Sequence, residues 1–520
     1  MKTKSQPLYL ILIVLLGLTV RLIAWSNTYV VNPDGTLYIF QAKAFYFGHK
    51  EALFCGYSFL ANYPVFIAGL YGIFQDWIFS ARLVSFLFGT AALIPLYLLL
   101  RRFFDAQIGF LSTLIFAMLP VFVGFSVDMV REPIGWFFLF LALFFFIKAL
   151  ENGPSYLMLL SSLSFLMASW ARAEVLLFFG ISFLYLLLIQ QEGRVKKFSY
   201  FAGPILLFLA FFGFYSYLIP KSSFKAHLRF TEFVDRLLFF HGQYQSLIQS
   251  LKTEAFRHKG EVMGFFLSAA KTHAWLVALG TLLNRFLESL LYIFALVFAL
   301  GLPGIGRKIK ESLPIRYLMI LSALSLLLLY VQVLSTWWIE YRHMYFLILP
   351  SFIIIGFGLE RIQKFLEMKF TGRRILAFLL SALLIISLTL PKNLLPRDKD
   401  KVVFKEIGES IAALRMGTEA ALISTPQNIH HWISFYANIA YPHGFCPIPV
   451  KVNCWEFNSE NLDQFLRHLI ENQIRFLVWT EKQWPAERID FSQVQHYLRL
   501  KELGRWRHPM TGEIIVLEIL

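Results

Sequence analysis

Long apolar runs separated by short polar stretches occupy the first three quarters of the chain, up to about Leu390. Many approach the roughly 20 residues that a helix needs to cross a bilayer. They are continuous rather than alternating, which excludes a β-barrel. The pattern predicts eleven spans. These are Leu8–Trp25, Leu83–Leu100, Ile108–Val127, Ile134–Leu150, Tyr156–Trp170, Val175–Ile189, Phe201–Ile219, Phe286–Leu300, Tyr317–Leu334, Tyr345–Gly358 and Leu376–Leu390. Phe59–Phe74 is also apolar, but Pro64 and two glycines break it, so it reads as lying at the interface.

The basic residues between runs orient the chain. Lys2 and Lys4, Arg101 and Arg102, Arg194, Lys196 and Lys197, Arg307 to Lys310, and Arg373 with Arg374 fall on one side. By the positive-inside rule that side is cytoplasmic. Residues 26–81 and 220–280 then form long external loops of a 1–390 membrane domain.

After Pro391 charged residues return and the apolar runs shorten. Val402–Leu414 and Leu462–Ile470 read as helices, and Ala420–Ser424, Ile474–Trp479 and Glu513–Ile519 as strands. Residues 391–520 therefore read as a small α/β domain. An odd number of spans places it outside. The fold class is a polytopic α-helical membrane protein with a small C-terminal α/β domain.

Composition agrees. The chain has 520 residues, 57% hydrophobic and including 56 Phe, with mean hydropathy +0.60. The net charge of +15 sits in loops between apolar runs, so it reads as a topology signal and not as a nucleic-acid surface. The N-terminal run lacks a small-residue cleavage site and reads as a retained helix. Cys55, Cys446 and Cys454 form no metal-ligand pattern; Cys446 and Cys454 could bridge in an oxidising compartment.

Candidate chemistry gathers on the external side. Asp34 stands where the chain leaves the first span, followed at helical spacing by Tyr38 and Gln41. It reads either as a helix N-cap after Pro33 or as an acid–base group. Asp128, Arg131 and Glu132 share a second loop, Arg172 and Glu174 a third turn, and Arg342 a fourth. Charges at span edges persist when paired or when they line a wet cavity. Pairing of Arg131 with Asp128 and of Arg172 with Glu174 is one reading. A chamber for a substrate bearing both a phosphate and a hydroxyl is the other.

Several stretches lead away from chemistry. Gly301-Leu302-Pro303-Gly304-Ile305-Gly306-Arg307 lacks the lysine and hydroxyl of a phosphate loop and reads as a turn. His430-His431 reads as an exposed helix pair without a third ligand, and Trp337-Trp338 as an interface anchor.

Asp34 with Tyr38, Tyr63-Pro64, Ala81-Arg82-Leu83-Val84-Ser85, Arg131-Glu132-Pro133, Ala171-Arg172-Ala173-Glu174 and Tyr341-Arg342-His343-Met344-Tyr345 appear in this order. Together they resemble the bacterial membrane glycosyltransferases of the GT-C superfamily. The nearest group is that of the protein O-mannosyltransferases and the lipid A aminoarabinose transferase. The resemblance covers residues 8 to 390. It implies transfer of a sugar from a polyprenyl-phosphate donor to a lipid, glycan or protein acceptor outside the bacterial cytoplasmic membrane. Asp34 would be the base, and Tyr38, Asp128, Arg131, Glu132, Arg172, Glu174, Arg342 and Tyr345 would bind substrate. The family usually follows its first acid with a second. Here that place is Gly35, which leaves Asp34 as the single acid of the motif; one carboxylate is a poor divalent site, so a divalent metal is left open but without support and no cofactor is assigned. A flippase of lipid-linked sugars is the alternative. It should show two similar halves, and no internal repeat is visible. A non-catalytic receptor leaves Asp34 and the arginines without a role.

Overall fold

The computed structural model describes residues 6–54, 59–151, 153–188, 193–218, 239–370, 372–414, 420–441, 454 and 461–520. The chain divides into two compact units. One comprises Met1–Ile23, Phe86–Ser126 and Arg131–Leu394; the other Ala24–Ser85, Val127–Val130 and Leu395–Leu520. Residues 24–85 thus group with the C-terminal residues 395–520.

The first unit is helical. Among the described residues of the chain, seven helices are long and apolar enough to cross a membrane, or eight if one bent pair counts as a span. Eleven were expected from the runs. Two of the differences have a plain cause: Tyr156–Ala171 and Val175–Leu188 are 16 and 14 residues long, short of a full crossing. The bent pair is Ala106–Met118 with Pro120–Val127, at 58°. Pro120 has no N–H to continue the helix, which explains the bend. Asp105 caps the start, accepting a hydrogen bond from Ile108 N at 2.9 Å.

The stretch expected as a loop over 220–280 contains two helices, Phe240–Arg257 and Val262–Ser289. The second is itself apolar enough to span. It ends where the sequence pattern predicts the span Phe286–Leu300 to begin. Leu291 and Tyr292 take φ of 53° and 58°, and a separate helix, Ile293–Gly301, follows. A hydropathy window averages across such a break and cannot see it.

Phe116 centres the core of this unit, edge-on to Trp136, Phe140 and Phe352 at ring distances of 5.9, 5.4 and 6.0 Å. Glycine sets the closest helix approach. A Cβ on Gly301 would meet the Ile354 carbonyl oxygen at 1.9 Å, and one on Gly358 the Val297 carbonyl oxygen at 1.9 Å. Helices Ile293–Gly301 and Tyr345–Lys369 thus touch backbone to backbone, the small-residue packing favoured in lipid. Gly358→Ala forces them apart. A loss of about 1–3 kcal/mol is expected, read as a lowered Tm in detergent.

The second unit holds a four-stranded sheet, β1 Ile423–Ser424, β2 Phe476–Thr480, β3 Leu500–His508 and β4 Gly512–Ile519, in the order β1-β2-β4-β3. β1 and β2 are parallel and the other pairs antiparallel, with Val478 opposite Val516. Phe465, Leu469, Leu477, Trp484, Ile489 and Val494 fill one face. The helix Gln427–Asn438 packs on the helix Pro33–Phe47. The Val31 N–H donates to Tyr436 Oη at 2.9 Å, and the Trp432 indole N–H donates to the Val31 carbonyl at 2.8 Å. Phe40 meets Phe435 edge-on at 5.4 Å. Buried Lys43 donates to the carbonyls of Ile439 and Tyr441 at 2.7 and 2.6 Å. Its charge thereby offsets the negative end of the Gln427 helix.

Candidate active site

In the second unit, Asp34 lies in the first turn of the helix Pro33–Phe47, half-buried. The N-cap position belongs to Asn32, whose side chain instead accepts from Met129 N at 3.0 Å. Of the two readings of Asp34, the cap is therefore excluded. Its carboxylate sits in the first turn, at the positive end of the helix. His431 is within its electrostatic reach: burial lowers the imidazole pKa, and Asp34 opposes that shift.

Gly35 is packed closely. A Cβ there would meet Asn32 Oδ1 at 2.6 Å and Met129 Cβ at 2.7 Å. A second carboxylate cannot be inserted at this position without moving the Met129 segment. Tyr38 and Gln41 follow Asp34 on the helix, but both are buried. Tyr38 stacks edge-on against Tyr63 at 5.2 Å. Gln41 donates to the Leu53 and Phe59 carbonyls at 3.0 and 2.8 Å. It clamps the first loop, so beyond Asp34 this helix face is packed.

Asp128 does not pair with Arg131. It is bound by Arg397 at 3.0 Å, a partner from beyond the last span that local sequence could not indicate. Burial pushes the Asp128 carboxyl above its usual range, opposed first by Arg397. The backbone beside it is fixed through Ser85, whose hydroxyl donates to the Val130 carbonyl at 2.9 Å. Arg82 lies over the Trp25 ring at 5.5 Å. Arg82 stands on the helix Trp77–Ala91, in a motif to which the sequence attaches no role.

His430 is buried, contrary to the exposed pair expected. Its ring lies 3.3 Å from Thr425 Oγ1, and burial lowers its pKa to about 3, so it is neutral. Cys454 is buried; Cys446 and Cys55 lie outside the described residues. Among the described residues no three His, Cys, Asp or Glu side chains converge as metal ligands.

In the first unit, Arg131 and Glu132 open the helix Glu132–Leu150, and Arg172 closes the helix Tyr156–Ala171. Arg172 bonds Glu132 at 3.1 Å and Glu174 at 3.2 Å. Arg131, Glu132 and Arg172 are only 3%, 1% and 2% exposed, so these ions must neutralise one another. The expected Arg172–Glu174 contact is present; the shared Glu132 was not foreseen. Tyr345, buried at the head of the helix Tyr345–Lys369, lies in the field of Arg131, Glu132, Arg172 and Glu174. Gly135 keeps the gap narrow: a Cβ on it would stand 3.7 Å from Arg172 Cγ and 4.0 Å from Tyr345 Oη. Trp136 faces Tyr345 at 6.2 Å between rings. Neither the Tyr345 hydroxyl nor the Trp136 N–H has a hydrogen-bond partner among the described residues. Such buried donors cost about 1–3 kcal/mol each unless a ligand or water takes them.

Arg342 stands in a 3₁₀ turn, Tyr341–His343, and bonds Glu340 at 3.0 Å. In an α-helix residues two apart diverge. Here Glu340 is extended, and the pair closes. Glu340 also caps the turn reciprocally with His343. Trp337, at φ 55°, ends the preceding helix, and Trp338 is exposed beside it.

Residues 62–217 match the dolichyl-phosphate-mannose-protein mannosyltransferase family. Among solved structures, the archaeal oligosaccharyltransferase AglB from Archaeoglobus fulgidus, in complex with an inhibitory peptide and a dolichol-phosphate, aligns with TM-score 0.59. The identity is 12%, over 98% of this chain and 74% of that one. ArnT from Cupriavidus metallidurans, bound to undecaprenyl phosphate, aligns with TM-score 0.61 and 10% identity, over 99% and 98%. No curated protein matches the sequence. The chain thus shares its fold with these two membrane proteins, and residues 62–217 resemble the mannosyltransferase family.

Proposed function

We propose that the protein transfers a sugar from a polyprenyl-phosphate donor to an acceptor hydroxyl outside the cytoplasmic membrane, with Asp34 as the base. The observation that carries this reading is Asp34 itself. It is a half-buried carboxylate in the first turn of a helix whose N-cap position is already occupied. The two structural neighbours hold dolichol-phosphate and undecaprenyl phosphate, which supports a lipid-phosphate donor.

The steps follow from the residues. Asp34 removes the acceptor proton as the oxygen attacks the anomeric carbon. The bond to the lipid phosphate breaks, and the phosphate leaves with the electron pair. A positioned base contributes about 10²–10⁴-fold. Arg131 and Arg172 supply fixed positive charge, Glu132 and Glu174 hold the Arg172 guanidinium in place, and Tyr345 and Trp136 offer donors to phosphate or sugar oxygens. Asp128 holds Arg397, and Asn32 holds the Met129 segment by accepting from its N–H; both have a positioning role. The experiment is incubation of purified protein with a polyprenyl-phosphate sugar and candidate hydroxyl acceptors. Release of free lipid phosphate coupled to acceptor glycosylation is expected. Movement of the intact donor across a vesicle membrane without its cleavage would replace this reading by the flippase.

A further inference from the structure

The hairpin of the helices Phe240–Arg257 and Val262–Ser289 is built around a basic groove. Gly260, at φ 88°, turns the chain. Gly264 lets the second helix close on the first, since a Cβ there would meet the His258 carbonyl oxygen at 2.2 Å. The groove measures about 450 Å³ and is lined by Gln249, Lys252, Thr253, Lys259, Ser268 and Lys271. Among the described residues no acidic side chain lines it. The two nearest in sequence are engaged elsewhere: Glu254 bonds Arg257 at 2.6 Å, and Glu261 bonds His258 at 2.9 Å.

Three ammonium groups facing one groove repel one another, so the arrangement favours an anionic occupant. Lysine ammoniums with amide and hydroxyl neighbours suit phosphate oxygens. The rim selects among phosphates. Phe256, Val262, Met263, Phe265 and Phe266 are all exposed on the same hairpin, and the helix Val262–Ser289 continues as one long and apolar enough to cross a membrane. Apolar side chains beside lysines are the arrangement of the headgroup–acyl boundary, where lysine stems lie along apolar surface and their charges reach lipid phosphates.

We propose that this groove binds the phosphate headgroup of an anionic glycerophospholipid of the bilayer. It is independent of the Asp34 and Arg172 groups and does not require the transfer reaction.

The test uses the full-length detergent-purified protein and native mass spectrometry. Phosphatidylglycerol adducts are compared with phosphatidylcholine adducts for wild type, for Lys252→Gln/Lys259→Gln/Lys271→Gln and for the matching triple Arg variant. Each lysine near an anionic surface contributes about fivefold, so the triple Gln variant should lose on the order of a hundredfold in phosphatidylglycerol affinity. Phosphatidylcholine binding should be unchanged, and the Arg variant should retain phosphatidylglycerol. Undiminished phosphatidylglycerol binding in a folded Gln variant overturns the proposal. So does displacement of the lipid by millimolar inorganic phosphate, which marks a free-anion site. Binding of polyprenyl phosphate with no binding of phosphatidylglycerol overturns it too, and assigns the groove to the donor.

Discussion

Asp34→Asn should abolish sugar transfer and leave Tm unchanged. The substitution keeps the shape of the side chain and removes its basicity. The N-cap position belongs to Asn32, so Asp34 does not hold it. Removing the charge from the first turn costs about 0.3–1 kcal/mol of helix-dipole contact. The loss to chemistry is that of a general base, about 10²–10⁴-fold. The measurement is release of lipid phosphate by the purified variant, alongside a thermal melt. Activity within a few-fold of wild type would remove Asp34 from the mechanism. A large drop in Tm would give it a structural role instead.

Arg172→Met should cost both stability and activity, and a second substitution should separate the two. Arg172 is the shared partner of Glu132 and Glu174, and Glu132 is almost fully buried. Removing one partner of a buried pair strands a charge, at a cost of about 3–5 kcal/mol. Arg172→Met/Glu132→Met removes both buried partners and should recover most of the lost Tm, since apolar replacements of buried pairs are often neutral. If the cluster serves the substrate phosphate, transfer stays lost in the double variant. An oxyanion-type contact is worth about 3–4 kcal/mol in the barrier. A double variant that recovers both Tm and turnover would make the cluster structural.

How far the sequence reached depended on the range of each interaction. Helix Val402–Leu414 and strands β2 and β4 were legible because their periodicity is local and strong. β3 was not: Lys501, Glu502, Arg505 and Arg507 mark it as polar, and it forms the edge of the sheet, where charge is tolerated. At the site, the Arg172–Glu174 contact spans two residues and was anticipated. The Arg172–Glu132 and Asp128–Arg397 bonds join residues 40 and 269 apart, and no window contains them. Residue type and topology pointed to the right loops, while the choice of partners needed the fold. The Glu340–Arg342 bond was hidden for another reason: it depends on a 3₁₀ turn with Glu340 extended, a local geometry that residue type does not reveal.

The contacts of Val31, Phe40 and Lys43 with the helix Gln427–Asn438 bear on how this protein can be rebuilt. A chimera that imports the C-terminal quarter of a relative at residue 391 would inherit a foreign docking face. Lys43 would then be enclosed in protein without the two carbonyls that now receive its ammonium group. Residues 24–85 and 395–520 would have to be exchanged together as one cassette, although about 300 residues of chain separate them.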